Sequence, residues 1–532
     1  MREFLHVGNA FDLERPADRR LYRFLEIFPG LLAWGTLLFV VAISFWFPAF
    51  AAFFIIVFDI YWLIKTIYLS FLTRFSFNQM RQNMTVDWFG RLEGIDGHTL
   101  LPGISWKDLY HLVILPVATE PYAIVRESLR AIETSHYPSE RFLVVLATEA
   151  RTGEHAEALA RQAEAEFGNS FHKFLVTRHP AGLPGEIVGK GSNESWAGQQ
   201  AKEDIIDKLG IPYERVIVSV FDIDTVVPKD FFACLTWHFL TAPNPLRSSY
   251  QPVPIFTNNI WEAPAFARVF AFSTTFWQMI QQARREQLVT FSSQSISLKA
   301  LVDINFWQRN IVSEDSRIFW QCFLHYDGDW ETVPLYYPVY MDANVGPTFW
   351  QTLKNQYKQI RRWLWGVENN PYFLFGFIKN KKIPAGKKWN LGFNMIEKTH
   401  SSATNALIIF LLGWLPIWLG GRGFTATILS YHLPKVTSYI MDLAMLGLIT
   451  SAILSIMLLP PKPPQYGRFK WAWMMLQWIL FPINFILFGA IPALDAQTRL
   501  MFGKYMGFWV TPKERKKSIQ SASSAESARV GA

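Results

Sequence analysis

The chain has 532 residues, half of them hydrophobic, and a formal net charge of +8. Its length allows more than one domain, and its two cysteines, Cys234 and Cys322, lack the number and spacing of a disulfide framework or a zinc site. The apolar residues are concentrated near the two ends, and much of the positive charge flanks those blocks. We therefore attribute the charge to membrane anchoring rather than to nucleic-acid binding.

The N-terminal part predicts a membrane anchor. A charged stretch with five arginines between Arg2 and Arg23 precedes the first apolar run, so we expect no cleavable signal peptide. Two candidate spans follow, at 28–47 and 49–72, each close to the ~20 apolar residues that cross a bilayer. Because Arg74 and Arg81 follow the second span, the positive-inside rule predicts a hairpin with both ends in the cytoplasm.

The long middle region alternates between predicted strands and helices. Short apolar runs at 112–115, 142–146 and 216–221 are typical of buried parallel strands. Residues 122–135, between the first two runs, have helical periodicity. This order predicts an α/β domain that binds ligands at the carboxyl ends of its strands.

Three further apolar blocks follow, at 405–420, 437–459 and 471–494. We expect the first two to form a second hairpin. The third precedes a basic tail that the positive-inside rule places in the cytoplasm, which requires an even number of crossings. We therefore interpret the third block as re-entrant or interfacial, with a fifth crossing as the alternative.

Asp222 and Asp224 directly follow the apolar run 216–221 and are the strongest local sign of chemistry. Two carboxylates at the end of a strand can both reach Mg²⁺ or Mn²⁺, which prefer oxygen ligands and keep positions open for substrate phosphates. Such a metal neutralises a departing nucleotide diphosphate. Taken alone, the pair is also typical of a solvated turn.

Two more polar groups follow in order. Glu314 and Asp315 precede a helical segment, where a carboxylate can act as a general base or simply interact with the helix dipole. Gln359, Arg362 and Trp363 combine an amide, a phosphate-binding guanidinium and a ring that stacks on sugars. Without its context, this last group also fits a basic helix on a membrane surface.

The ordered set resembles the family 2 glycosyltransferases, and in particular their membrane-embedded, cellulose-synthase-like branch. The resemblance covers residues 112–363 and the membrane layout. It implies a GT-A-type α/β domain and sugar transfer with inversion from a UDP- or GDP-sugar to a growing glycan or a lipid-linked acceptor. Asp222 and Asp224 correspond to the family's metal-binding DxD motif, and Asp315 to its catalytic base beside Glu314. Gln359, Arg362 and Trp363 match its QxxRW motif.

Softer matches extend the resemblance. The stretch 115–120, ending at Glu120, is similar to the family's first strand and donor loop, and Lys190 lies in a segment similar to its diphosphate-binding lysine segment. Residues 508–513, which end at Lys513, match the FxVTxK gating loop of cellulose synthases. The resemblance thus implies that Glu120, Lys190, Arg362 and Lys513 bind the donor, and that Gln359, Trp363 and Glu314 contact the acceptor.

The chain departs from the family pattern at two places. The second strand ends in Thr148 and Glu149, where the family usually has an aspartate that contacts the nucleotide base. Glu149 is our candidate for that contact. Nothing after Lys513 matches the cyclic-dinucleotide-binding domain of bacterial cellulose synthases, so that regulation is not expected.

We accordingly expect a multi-pass plasma-membrane enzyme, most simply a processive polysaccharide synthase. The alternatives are a non-processive enzyme that builds a glycolipid, an inactive membrane scaffold and, least favoured, a transporter. The expected organisation is a cytoplasmic segment (1–27), a membrane hairpin (28–72), the GT-A-type domain (106–365), an interfacial segment (366–403), C-terminal membrane helices (404–494), a gating-loop-like segment (495–517) and a disordered tail (518–532). Asp59, Lys65 and Asp442 lie within predicted spans, where ionisable groups either line a polar path or are paired.

Overall fold

The computed structural model describes residues 3–95 and 99–511. It begins with two long helices, α1 (Pro16–Trp46) and α2 (Pro48–Asn83), which are joined at Phe47 and followed by the short α3 (Trp88–Glu93). Both long helices have the length and apolarity of membrane spans. Pro48 opens α2, a position where its missing N–H group costs nothing, and this separates the two helices.

A seven-stranded mixed sheet lies in the middle of the chain, with the strand order β3-β2-β1-β4-β6-β5-β7. The strands are β1 (Tyr110–Pro116), β2 (Phe142–Glu149), β3 (Lys173–His179), β4 (Val216–Val220), β5 (Ser248–Ile255), β6 (Ser295–Ser297) and β7 (Glu331–Tyr340). β1 to β4 are mutually parallel where they pair. β6 runs antiparallel between β4 and β5.

Helices cover both faces of the sheet. They are α4 (Tyr122–Glu133), α5 (Glu154–Phe167), α6 (Lys190–Ala201), α7 (Asp207–Leu209), α8 (Phe231–Thr241), α9 (Ala265–Ala283), α10 (Leu298–Asp303), α11 (Glu314–His325), α12 (Phe349–Leu364) and α13 (Asn369–Lys379). Alternate residues of β1 enter two different cores. Val113 and Leu115 pack with α4 and α8, whereas Leu112 and Ile114 pack with α6 and α11. The predicted α/β fold is confirmed, because strands buried on both faces need this double covering.

The C-terminal part is helical: α14 (Ala385–Phe410), α15 (Leu415–Leu419), α16 (Gly421–Thr425), α17 (Ile428–Met457), α18 (Lys470–Leu476), α19 (Phe481–Asn484) and α20 (Ile491–Met501). By length and composition, four helical stretches of the described chain qualify as membrane spans: α1, α2, α17 and the block 470–501. A fifth qualifies if α14 and α15, which meet at 47°, form one broken span.

The block 470–501 is bonded to the rest of the chain at two places. In its first half, Trp478 Nε1 donates to Ser455 Oγ near the end of α17, and Asn484 Nδ2 donates to the carbonyl of Phe266 in α9. At its C-terminal end, Arg23 of α1 donates to the carbonyls of Leu500 and Met501.

The ionisable residues of the predicted spans have different surroundings. Lys65 forms an ion pair with Glu397 of α14 (2.5 Å), so it is paired. Asp442 is exposed on α17. Asp59 is buried, and neither of its carboxylate oxygens has a hydrogen-bond partner among the described residues.

Candidate active site

A pocket lies at the carboxyl ends of β1, β2 and β4. The first turns of α6 and α11, the last turn of α12 and residues 508–511 complete its wall. It brings together ten of the residues that the sequence singled out: Glu120, Glu149, Lys190, Asp222, Asp224, Glu314, Asp315, Gln359, Arg362 and Trp363. Lys513, and the tail predicted to be disordered, lie outside the described residues.

Lys190 is the electrostatic centre of this pocket. Its Nζ lies 2.8 Å from Asp222 Oδ1, 2.9 Å from Asp315 Oδ1 and 3.3 Å from Glu194 Oε1. Burial alone would lower the pKa of Lys190, but the surrounding carboxylates outweigh it and raise that pKa well above its usual value. A charged ammonium therefore joins the predicted metal ligand Asp222 to the predicted base Asp315.

Asp224 is more deeply buried than Asp222. Its Oδ2 accepts a hydrogen bond from the backbone N–H of Asp342 (3.0 Å), and its carbonyl accepts one from Asn258 Nδ2 (3.0 Å). Val226 pairs with Tyr340 just beside it, which fixes the acidic turn to the end of β7. Asp342 also lines the pocket, so a third carboxylate lies next to the predicted pair.

The donor set fits a divalent cation such as Mg²⁺ or Mn²⁺. Asp222 and Asp224 supply oxygen atoms only, and the Asp222 side chain is 28% exposed, which leaves room for phosphate ligands. Glu194, Glu314 and Asp315 form a second group with one oxygen of each within 4.8 Å of the others. Two members of that group, Glu194 and Glu314, are buried, whereas the Asp222 side chain reaches solvent, so Asp222 with Asp224 suits a substrate-accessible cation better.

Glu314 and Asp315 form the first turn of α11 but have different environments. Glu314 is buried, its Oε1 has no hydrogen-bond partner, and burial together with the Asp315 charge raises its pKa to about 8. Burial also raises the pKa of Asp315, but the Lys190 ammonium opposes this shift. Glu314 therefore retains a proton near neutral pH, and Asp315 is the carboxylate suited to accept one.

Helix α12 presents three side chains to the pocket because they are spaced at i, i+3 and i+4. Gln359 Oε1 accepts from Asn344 Nδ2 (3.2 Å), and the Arg362 guanidinium lies 4.6 Å from the centre of the Phe508 ring. Trp363 stacks near Phe270 of α9, with ring centroids 6.3 Å apart.

Arg361, which lies between Gln359 and Arg362 in the sequence, points away from the pocket. It bonds to Asp495 of α20 at 2.9 Å, and Arg499 bonds to the other oxygen of that carboxylate. This ion pair fastens the motif-bearing helix to the last helix of the described chain.

The glutamates that follow β1 and end β2, Glu120 and Glu149, have different hydrogen-bond partners. Glu120 accepts a hydrogen bond from the backbone N–H of Ala118 (2.8 Å), so it shapes its own loop. Glu149 is paired with the Arg151 guanidinium, whose Nη2 lies 3.0 Å from its Oε1. The Thr148 hydroxyl donates to the carbonyl of Thr177 (2.8 Å), which makes Thr148 part of the sheet and leaves Glu149 to face the pocket.

Two acidic residues at the site had not been singled out from the sequence: Glu194, which is buried next to Lys190, and Asp342, which lines the pocket. Glu194 lies four residues after Lys190 on α6, a spacing that places both on one helix face and could have identified it. Asp342 follows β7, and only the pairing of β7 with the acidic turn brings it near Asp224.

No family model matches the chain, and neither does any curated protein. Among solved structures, the mannosyltransferase PcManGT from Pyrobaculum calidifontis, in complex with GDP-Man and Mn²⁺, is similar with a TM-score of 0.41 and 12% identity, over 85% of this chain and 100% of that one. S. aureus TarS 1–349 in complex with UDP-GlcNAc is similar with a TM-score of 0.30 and 12% identity, over 65% and 90% of the two chains. Because both TM-scores are below 0.5, the case for function rests on the pocket itself.

Proposed function

We propose that the protein is a membrane glycosyltransferase that transfers a sugar from a nucleotide-sugar donor to an acceptor hydroxyl with inversion. The observation that carries this proposal is the convergence of Lys190, Asp222, Asp224, Asp315, Arg362 and Trp363 in one pocket. Three widely separated chain segments supply a cation site, a base and an aromatic platform, which is the set of groups that the reaction requires.

In this proposal, Asp315 accepts the proton of the acceptor hydroxyl as that oxygen bonds to the anomeric carbon. The bond from the anomeric carbon to the diphosphate breaks on the opposite side, and the nucleoside diphosphate leaves. Lys190 and Arg362 balance its negative charge. Asp222 and Asp224 would hold Mg²⁺ or Mn²⁺, which supplies Lewis-acid stabilisation of the leaving group. Trp363 stacks on the acceptor sugar.

Residues around the donor extend this assignment. Glu149, with its charge balanced by Arg151, is our candidate for nucleotide-base recognition, and Glu120 shapes the adjoining loop. Phe508 already covers Arg362. We therefore propose that residues 508–513, with Lys513, close over the donor as a gating loop would, and that Gln359 and Glu314 border the acceptor.

We further propose a processive, cellulose-synthase-like enzyme of the plasma membrane, with its α/β domain in the cytoplasm. Support comes from the QxxRW helix, whose Trp363 adjoins an aromatic cluster shared by α9 and the block 470–501. This cluster connects the acceptor position to the membrane. A product of one added sugar, measured by mass spectrometry, would instead favour the non-processive glycolipid enzyme.

The test is nucleotide diphosphate release by the purified protein in detergent. A panel of UDP- and GDP-sugars with Mg²⁺ or Mn²⁺ should reveal one donor that is turned over. We expect Asp315→Asn to reduce turnover by at least ~10²-fold while donor binding persists, because only the proton acceptor is lost. Asp230→Asn, a carboxylate outside the pocket that pairs with His136, is the matched control and should remain active. No turnover of any donor, with lipid and oligosaccharide acceptors present, would contradict the proposal and favour an inactive scaffold.

A further inference from the structure

Arg268 on α9 is a buried guanidinium without a carboxylate partner. Only 6% of the residue is exposed, and its Nε and Nη1 donate to Gln477 Oε1 (2.6 Å) and to the carbonyl of Ala263 (2.5 Å). Across residues 3–95 and 99–511, no acidic group lies within ion-pair distance of it. Buried charges are normally paired, so the positive charge of Arg268 is available to an anion.

Two buried neutral donors in the segments that contact Arg268 lack acceptors. Gln477 uses its Oε1 to hold Arg268, but its Nε2 is buried and bonds to nothing in the described chain. Trp261 lies two residues before Ala263, and its Nε1 is also buried without a hydrogen-bond partner in the described chain. Buried N–H groups are almost always satisfied, so a cluster of unused donors indicates a missing acceptor with several oxygens.

The charges around this cluster are mainly positive. Tyr466 stacks on Trp261 with ring centroids 5.9 Å apart, and Lys470 Nζ lies 4.9 Å from the centre of the Tyr466 ring. Lys462 donates to the carbonyl of Tyr466, and the charges of Lys470 and Arg268 are close enough to interact. Glu262, which also interacts with Tyr466, is the acidic group nearby and has an interaction of its own. The three basic side chains, Arg268, Lys462 and Lys470, therefore outnumber the one acidic side chain named here, Glu262.

The cluster lies where α9 of the α/β domain meets the apolar block 470–501. α9 is bonded to the end of α2 through Ser76 Oγ and the Met279 carbonyl (2.5 Å). Beside the cluster, the block 470–501 exposes large apolar side chains: Trp473, Leu476, Ile479 and Ile483. A lipid whose chain lies along these residues would carry its headgroup to the level of Arg268.

We propose that Arg268, Gln477 and Trp261, with Lys470, bind the phosphate of a membrane lipid. A phosphate offers the several anionic oxygens that a guanidinium and two N–H donors can share. α9 also carries Phe270, which stacks near Trp363, so the same helix contributes to both proposed sites, with positions 268 and 270 on different faces of it. If the proposed glycosyl transfer holds, the phosphate belongs to a lipid-linked acceptor whose sugar lies on Trp363. The other source of the same chemistry is an anionic phospholipid of the bilayer.

The experiment measures binding of farnesyl phosphate to the full-length protein in detergent by native mass spectrometry, with farnesol as the uncharged comparison. We expect the phosphate to bind on the order of tenfold more tightly than the alcohol, and Arg268→Gln to remove that preference. Trp261→Phe keeps the ring stack but deletes one donor, so it should weaken phosphate binding without unfolding the site. Arg81→Gln, an exposed arginine on α2, is the matched control and should bind normally.

Equal binding of farnesyl phosphate and farnesol, or unchanged binding by both Arg268→Gln and Trp261→Phe, would overturn the proposal. Competition by phosphatidylglycerol, and no effect of Arg268→Gln on the KM for a prenyl-phosphate acceptor, would support the bilayer as the source. A raised KM for that acceptor with unchanged donor hydrolysis would support the lipid-linked acceptor. Since binding is measured without donor, its result does not depend on whether the protein transfers sugar.

Discussion

At the scale of single residues, a few ionisable groups determine the electrostatics of the pocket. Lys190 alone bonds to carboxylates from three segments of the chain. Each of those carboxylates would be costly to bury unpaired. The ammonium therefore makes the acidic pocket compatible with folding before any cation or donor is present.

His111 permits a prediction at the same scale. It lies in β1 against the Tyr137 and Phe232 rings, and burial lowers its pKa to about 3. The folded protein keeps it neutral, whereas the unfolded chain takes up a proton below pH 6.5. We therefore expect the free energy of unfolding to fall by up to about 1.4 kcal/mol per pH unit on acidification below 6.5, from this residue alone.

Denaturant unfolding in detergent between pH 7.5 and 5.0 checks this expectation. His111→Phe suits the aromatic surroundings and should make the pH dependence shallower by about one proton. His172→Asn, at an exposed position, is the control. Equal slopes for His111→Phe and the wild type would show that His111 does not contribute.

At the scale of elements, we expect the contact between the start of α6 and residues 508–511 to control access to the pocket. Gly189 has a φ of 157°, and a Cβ built on it would lie 2.4 Å from Phe508 Cγ. No side chain other than hydrogen fits there while Phe508 covers Arg362.

Gly189→Ala should therefore displace Phe508 and open the pocket. We expect the donor KM to rise about tenfold, which corresponds to the lower part of the usual cost of overpacking. Limited proteolysis should also cut the segment after α20 faster. Gly185→Ala has a positive φ (77°) but no neighbouring atom, so it separates backbone strain from the clash. A Gly189→Ala enzyme with wild-type KM and proteolysis would contradict this role for the contact.

At the scale of the whole molecule, we predict that the block 470–501 enters and leaves the membrane on one side. Single cysteines can test this, because the native Cys234 and Cys322 are both buried. Gly423 and Gly467 both have open space around them and accept a side chain without a clash. In sealed vesicles, we expect a membrane-impermeant maleimide to reach Gly423→Cys and Gly467→Cys from opposite sides.

Gly507→Cys, also in open space, should label from the same side as Gly467→Cys. That result would support the re-entrant interpretation. Labelling of Gly467→Cys and Gly507→Cys from opposite sides would instead establish a true crossing between them.

The sequence by itself determined the features that depend on local pattern. Continuous apolar runs predicted β1, β2 and β4, since strands buried on both faces have no polar side. Gln359, Arg362 and Trp363 were likewise grouped from their motif, and in the structure their i, i+3, i+4 spacing places them on one helix face. The carboxyl ends of parallel strands meet at one edge, which is why Asp222 could be expected near Glu149.

Only the tertiary structure decided the features that depend on distant segments meeting. The three-residue β6 is too short to leave a pattern, and its antiparallel place comes from pairing with β4 and β5. The nearness of Asp342 to Asp224 needs β7 to pair with the acidic turn, and the isolation of Arg268 needs α9 to meet the block 470–501. The spacing of apolar residues along the sequence predicts which residues are buried. It does not predict which groups the polar side chains contact, and those contacts define both proposed sites.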